Sequence, residues 1–149
     1  MALPAFREDG WLPEGHCAAT WQEVALRFGG EPNSRRSLIL SSLLQWRDAV
    51  RDKGIAGLVI LDGSFVSSKE APGDFDLVFS CDEATELLLR TDLEARKLTD
   101  YQACRRLGFL GDVFALPASL FIFSPLLGGL DMFDLDRQRK PKGVVEVLL

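Results

Sequence analysis

The clearest periodic signal along the chain is a stripe of large apolar residues. Ile39, Leu43, Trp46 and Val50 follow one another at steps of four, three and four, which is one face of a helix. Leu40 and Leu44 widen the stripe, while Arg35, Arg36, Arg47, Arg51 and Lys53 fall mostly elsewhere. Pro32-Asn33-Ser34 opens this predicted helix and Gly54 stops it, with Lys53 favourable beside the negative helix end. Just upstream, Thr20-Trp21-Gln22-Glu23 forms a capping box. It predicts a short helix from Trp21 to Phe28, ended by Gly29-Gly30.

The pattern then changes period. Gly57 to Leu61, GLVIL, is short, apolar and β-branched, and predicts a buried central strand ending at Asp62-Gly63-Ser64. Residues 65 to 73 predict a loop or short helix closing on Pro72-Gly73. Asp74 to Phe79, DFDLVF, alternates as a second strand does. Ser80 and Asp82 can cap a helix running through Glu86 to Arg90, and one further helix is expected between Leu93 and Arg106. Phe109 to Leu116 reads as a third strand, Leu126 to Phe133 as a short helix, and Gly143 to Leu149 as a terminal strand. Residues 1–19, with Pro4, Gly10, Pro13 and Gly15, read as an extended arm. The whole predicts one α/β or α+β domain over residues 1–149, a mixed β-sheet flanked by helices.

Composition narrows the function. The chain of 149 residues is 47% hydrophobic and 26% charged, the balance of a globular domain able to bury its own core. The formal net charge of −5 has the wrong sign for a broad nucleic-acid surface, so nucleic acid is not the favoured partner. Three cysteines with wide spacing and no CxxC point to reduced thiols and a cytoplasmic setting. The stretch from Val113 to Phe133 is apolar but broken by Pro117, Pro125, Gly128, Gly129 and Asp131, so it reads as core and not as a membrane span.

The chemistry concentrates in Leu61 to Val78, LDGSFVSSKEAPGDFDLV. Asp74 and Asp76 share one face of the second strand, about 6.5–7 Å apart at the backbone. Phe75 and Leu77 share the other face. Two such carboxylates can converge on one divalent ion, or each can hold part of a metal pair that stabilises the attacking and leaving oxygens of an in-line displacement, and magnesium favours carboxylates together with phosphate oxygens. Gly63 lets the backbone approach a phosphate, and the Ser64 hydroxyl can donate to one.

Gly63-Ser64, nine intervening residues, then Asp74-Phe75-Asp76-Leu77 resemble the signature of the polymerase-beta-like nucleotidyltransferase superfamily. The resemblance extends to a narrower group of uncharacterised bacterial proteins through FREDGWLPEG, DGSFVSSKEAPGDFDL and KPKGVVEVLL, and so covers nearly the whole chain. It implies a nucleotidyltransferase-like fold and transfer of a nucleoside monophosphate from a nucleoside triphosphate to a hydroxyl on RNA, protein or a small molecule. It implies that Ser64 and the backbone near Gly63 hold triphosphate oxygens, and that Asp74 and Asp76 bind Mg²⁺ or Mn²⁺. It also implies a third carboxylate from a neighbouring strand. Asp112, in Gly111-Asp112-Val113-Phe114, is the choice and Glu146 the reserve. Asp62 departs from the family pattern, which has a hydrophobic residue before the glycine. The rival expectation is a non-catalytic module of the same fold, a regulator with a protein partner in a bacterial toxin–antitoxin or defence system.

Other features carry less. Lys69 lies between the half-sites and reads either as a phosphate contact or as a solvated loop lysine. Arg137, Arg139, Lys140 and Lys142 form a basic cluster that reads either as an acceptor contact or as a soluble turn. His16 and Cys17 are sequence neighbours, and neighbours on a strand or helix seldom share a target. GxxxxGK[ST] and GxGxxG are both absent, which argues against a P-loop kinase and a Rossmann dehydrogenase.

Overall fold

The computed structural model describes residues 3–117 and 141–149. The expected helix at Leu126–Phe133 and the basic residues Arg137, Arg139 and Lys140 lie outside them. Eleven elements follow in order: β1 (Gly15–Ala18), α1 (Trp21–Phe28), α2 (Arg35–Asp52), β2 (Gly57–Asp62), a 3₁₀ turn (Ser64–Val66), β3 (Phe75–Cys81), α3 (Glu83–Thr91), α4 (Leu93–Leu98), α5 (Tyr101–Arg106), β4 (Gly111–Pro117) and β5 (Gly143–Leu148). The fold is α+β, a mixed five-stranded sheet in the order β1-β5-β2-β3-β4. β2 is central and antiparallel to β3 and β5, while β3–β4 and β1–β5 are parallel pairs.

The alternation seen in the strands divides the sheet into two faces. Val59, Leu61, Leu77, Phe79, Val113, Val145 and Val147 point to one side and are buried there. The stripe of α2 meets them: Ile39, Leu43, Trp46 and Val50 are all fully buried. α1, α4 and α5 add Val24, Phe28, Ala95, Leu98 and Cys104 to the same core. The opposite face carries a smaller apolar cluster of Ile60, Val78 and Val144. Towards the end of β2, this second face turns from apolar to acidic.

Three sequence expectations change. Gly15–Ala18, read as part of the arm, forms an edge strand parallel to β5, because Gly15 to Ala18 register with Gly143 to Glu146. The helix expected over Leu93–Arg106 is two helices. Leu98 offers its carbonyl to Trp46 Nε1 at 2.7 Å and to Cys104 Sγ at 3.0 Å, and the Asp100 side chain accepts from the amides of Gln102 and Ala103 to start α5 afresh. The third strand begins at Gly111 and not at Phe109. The capping boxes and caps at Thr20, Ser34 and Asp82 form as their sequences indicate.

Candidate active site

Sheet register assembles the acids. Asp62 pairs with Asp76 across β2–β3, and Asp76 pairs with Asp112 across β3–β4. Paired residues point to the same face, so three carboxylates stand in one row across three strands. Asp74 lies two residues before Asp76 and joins them. Asp74, Asp76 and Asp112 each offer a carboxylate oxygen within 4.8 Å of the other two. An all-oxygen donor set of this kind suits a hard divalent cation such as Mg²⁺ or Mn²⁺. Glu146 sits elsewhere: it registers with Ile60, two residues along β2 from Asp62, and its carboxylate binds His16 Nδ1 at 2.5 Å. His16 and Cys17 alternate along β1, so they do not face one target.

The Gly63-Ser64 half lies directly beside this row. Gly63 has φ 76° and ψ −168°, a region essentially reserved for glycine. A Cβ there would overlap the Asp76 carboxylate. Glycine thus lets the chain turn from β2 while the Asp76 side chain packs against its backbone. Ser64 then opens the 3₁₀ turn, and its carbonyl accepts from the Ser67 hydroxyl at 2.6 Å.

Arg36 of α2 shapes the loop that follows. Its guanidinium donates to the carbonyls of Phe28 (3.1 Å), Phe65 (2.8 Å), Ser67 (2.6 Å) and Lys69 (2.9 Å). Burial lowers the Arg36 pKa from its ordinary value. The N-terminal arm closes the other side. Gly10, at φ 86°, approaches so closely that a side chain would meet Ser68, and its carbonyl accepts from the Ser68 amide at 2.8 Å. Between them lies a cleft of about 450 Å³, lined by Gly63, Ser64, Lys69, Asp74, Asp76 and Lys142 together with Asp9 to Trp11 and Ser67-Ser68. Lys69 is exposed on its rim.

The electrostatics are those of a site with excess negative charge. Burial first, then the neighbouring charges of Asp74, Asp112 and Asp62, push the Asp76 carboxyl up to about 7, with Lys142 pulling the other way. Two cations of the chain, exposed Arg105 and buried Lys142, offset part of the charge. Arg105 of α5 donates through Nε to Asp112 Oδ1 at 2.6 Å and through Nη2 to Asp74 Oδ2 at 2.5 Å. Those bonds, Asp112 first, raise the Arg105 pKa further above its ordinary value. Lys142 reaches Asp62 Oδ1 at 2.6 Å, with both residues buried. The thiols take no part: burial pushes Cys81 and Cys104 up to about 12.

Asp74, Asp76, Asp112, Gly63, Ser64 and Lys69, the six residues read from the sequence, therefore gather at one cleft and its acidic edge. Arg105 gave no local signal, since it is one of two exposed arginines ending a short helix. Asp62 is visible in the sequence as a departure, and its register with Asp76 places it on the acidic face. The arm carried a sequence pattern, but its closeness to the loop depends on long-range packing.

The chain belongs to the family of unknown function DUF6932, whose profile matches residues 4–148. No curated protein and no solved structure matches it.

Proposed function

We propose that this chain is a metal-dependent nucleotidyltransferase that moves a nucleoside monophosphate from a nucleoside triphosphate to a hydroxyl. One observation carries the reading: three carboxylates, Asp76 of β3, Asp74 just before it and Asp112 of β4, converge beside a glycine-serine turn, at a cleft large enough for part of a nucleotide. The sequence resemblance to the polymerase-beta-like superfamily supports it. Asp74, Asp76 and Asp112 would hold Mg²⁺ or Mn²⁺, and such an ion supplies charge neutralisation at phosphate oxygens. The backbone at Gly63 and the Ser64 hydroxyl receive the triphosphate, with Lys69 at the rim. Asp112 stands on β4, the outermost strand on that side among the described residues, and serves to take the proton of the acceptor hydroxyl. The hydroxyl oxygen then bonds to the α-phosphorus, the bond from that phosphorus to the β-phosphate's bridging oxygen breaks, and pyrophosphate leaves.

No helix among the described residues is long and apolar enough to cross a membrane. The proposal places the protein in the cytoplasm, where its three free cysteines remain reduced. The acceptor is a hydroxyl of RNA, protein or a small molecule, and the net charge of −5 disfavours a long nucleic acid.

The Arg105 bridge favours one second reading. An arginine that already joins Asp74 and Asp112 suits a non-catalytic module of the same fold, working with a protein partner in a two-protein bacterial system. Pyrophosphate release separates the two. Incubation with each common nucleoside triphosphate and Mg²⁺ should release pyrophosphate in the presence of the right acceptor, and Asp74→Asn and Asp76→Asn should abolish it. Release unaffected by both substitutions would overturn the catalytic reading.

A further inference from the structure

The nucleotidyltransferase reading leaves one well-built feature unused. Lys142 is 5% exposed and its neighbour Asp62 4%, yet Lys142 lines the cleft and Asp62 does not. Lys142 is thus part of the cleft wall, with its ammonium held between Asp62 and Trp11. Its ammonium has three donors. Nζ is ion-paired with Asp62 Oδ1 at 2.6 Å, and the Trp11 ring lies near Nζ with its centroid at 4.5 Å.

The N-terminal arm holds this arrangement in place. Arg7 is ion-paired with Asp9 at 2.7 Å and donates through Nη1 to the carbonyl of Pro141, at 2.7 Å, immediately before Lys142. The amide of Gly143, immediately after it, donates to the carbonyl of Leu12 at 3.0 Å. Trp11 supplies the aromatic face between these two anchors. The segment from Arg7 to Leu12 therefore fixes the backbone on both sides of Lys142 and packs its side chain as well.

Charge at the site gives the arrangement a meaning. Four carboxylates, Asp62, Asp74, Asp76 and Asp112, face two cations of the chain, Lys142 and Arg105. When all four are ionised the balance is two negative charges, which one divalent ion neutralises. Asp62 is already committed to an ammonium and lies outside the converging triad of oxygens. A second divalent ion seeking Asp62 would find it already paired with Lys142.

Resting on the nucleotidyltransferase reading, we infer that Lys142 is a phosphate-binding residue of the cleft, and that the Lys142–Asp62 pair takes the place of a second metal ion. The site then holds one divalent ion on Asp74, Asp76 and Asp112, while the Lys142 ammonium donates a hydrogen bond to a phosphate oxygen of the bound polyphosphate. The arm exists, on this account, to aim that ammonium.

The test uses the full chain, Mn²⁺ and inorganic tripolyphosphate. Wild type should bind one Mn²⁺ per chain by calorimetry and by electron paramagnetic resonance counting. In saturating Mn²⁺ it should bind tripolyphosphate. The charge-neutral double substitution Asp62→Asn with Lys142→Met leaves net charge and the triad unchanged. It should keep one Mn²⁺ and weaken tripolyphosphate at least tenfold. Near-ultraviolet circular dichroism and a cooperative urea transition like those of wild type establish that the double variant is folded. Two Mn²⁺ per wild-type chain, or undiminished tripolyphosphate affinity in the folded double variant, would overturn the inference while leaving the nucleotidyltransferase reading intact. No Mn²⁺ bound by wild type would overturn both.

Discussion

The Asp76 carboxylate fills the space that a side chain on Gly63 would need. The two halves of the candidate site, Ser64 and Asp76 with eleven residues between them in sequence, are thereby locked together at van der Waals contact. Gly63 also holds a backbone conformation that L-residues with a side chain avoid. Gly63→Ala should cost about 1–3 kcal/mol from the backbone alone, and more from the displaced carboxylate. Urea denaturation with EDTA measures the loss. Mn²⁺ affinity should fall with it, because Asp76 must leave its position.

Asp76 makes stability depend on pH in the metal-free protein. Its folded pKa is raised to about 7 from an ordinary 3.8. Between those values the folded chain keeps a proton that the unfolded chain has lost. Bound protons are then fewer in the unfolded state, so stability falls as pH rises through about 4 to 7 and stays at the lower level above. Asp76→Asn should remove this component, so the difference between variant and wild type grows from pH 5 to pH 8. Denaturant midpoints in EDTA across that range give the comparison. Added Mg²⁺ should stabilise wild type more at pH 8 than at pH 5.

Arg105 and a divalent ion both need electrons from Asp74 and Asp112. Arg105→Ala should cost less than about 1 kcal/mol in EDTA, as expected for a partly exposed ion pair. It should also tighten Mn²⁺ binding several-fold. The adjacent Arg106 has no carboxylate partner in the triad, so Arg106→Ala controls for net charge and should change Mn²⁺ affinity little. Calorimetry on the three proteins decides; equal affinities throughout would show that Arg105 does not compete.

Arg36 ties three carbonyls of the loop beside Ser64, and that of Phe28 at the end of α1, to α2. Arg36→Ala leaves several of them without a donor and should destabilise the fold by at least about 2 kcal/mol. Arg36→Lys keeps charge but not the planar fork, and should recover only part of that. Hydrogen exchange at the amides from Phe65 to Lys69 should rise in both.

Local pattern carried much of this structure. The α2 stripe, the capping box at Thr20 and the alternation Asp74-Phe75-Asp76-Leu77 depend on near neighbours, and each element formed where those residues indicated. The acidic row was legible only in part. Asp74 and Asp76 share a face by strand geometry, but Asp62 and Asp112 join them through register between strands, which no local period encodes. The break in the helix after Leu98 was hidden for a similar reason, since Trp46, 52 residues away, helps claim the carbonyl there. Arg105 and the arm are tertiary in the same sense. Their charges were visible, their targets were not.

The most direct test of the central claim is nucleoside triphosphate binding by calorimetry, with and without Mg²⁺, on wild type and Asp76→Asn. The account predicts binding that requires Mg²⁺ in wild type and is lost in the variant. Failure of wild type to bind any common triphosphate with Mg²⁺, or binding that survives in Asp76→Asn, would contradict it.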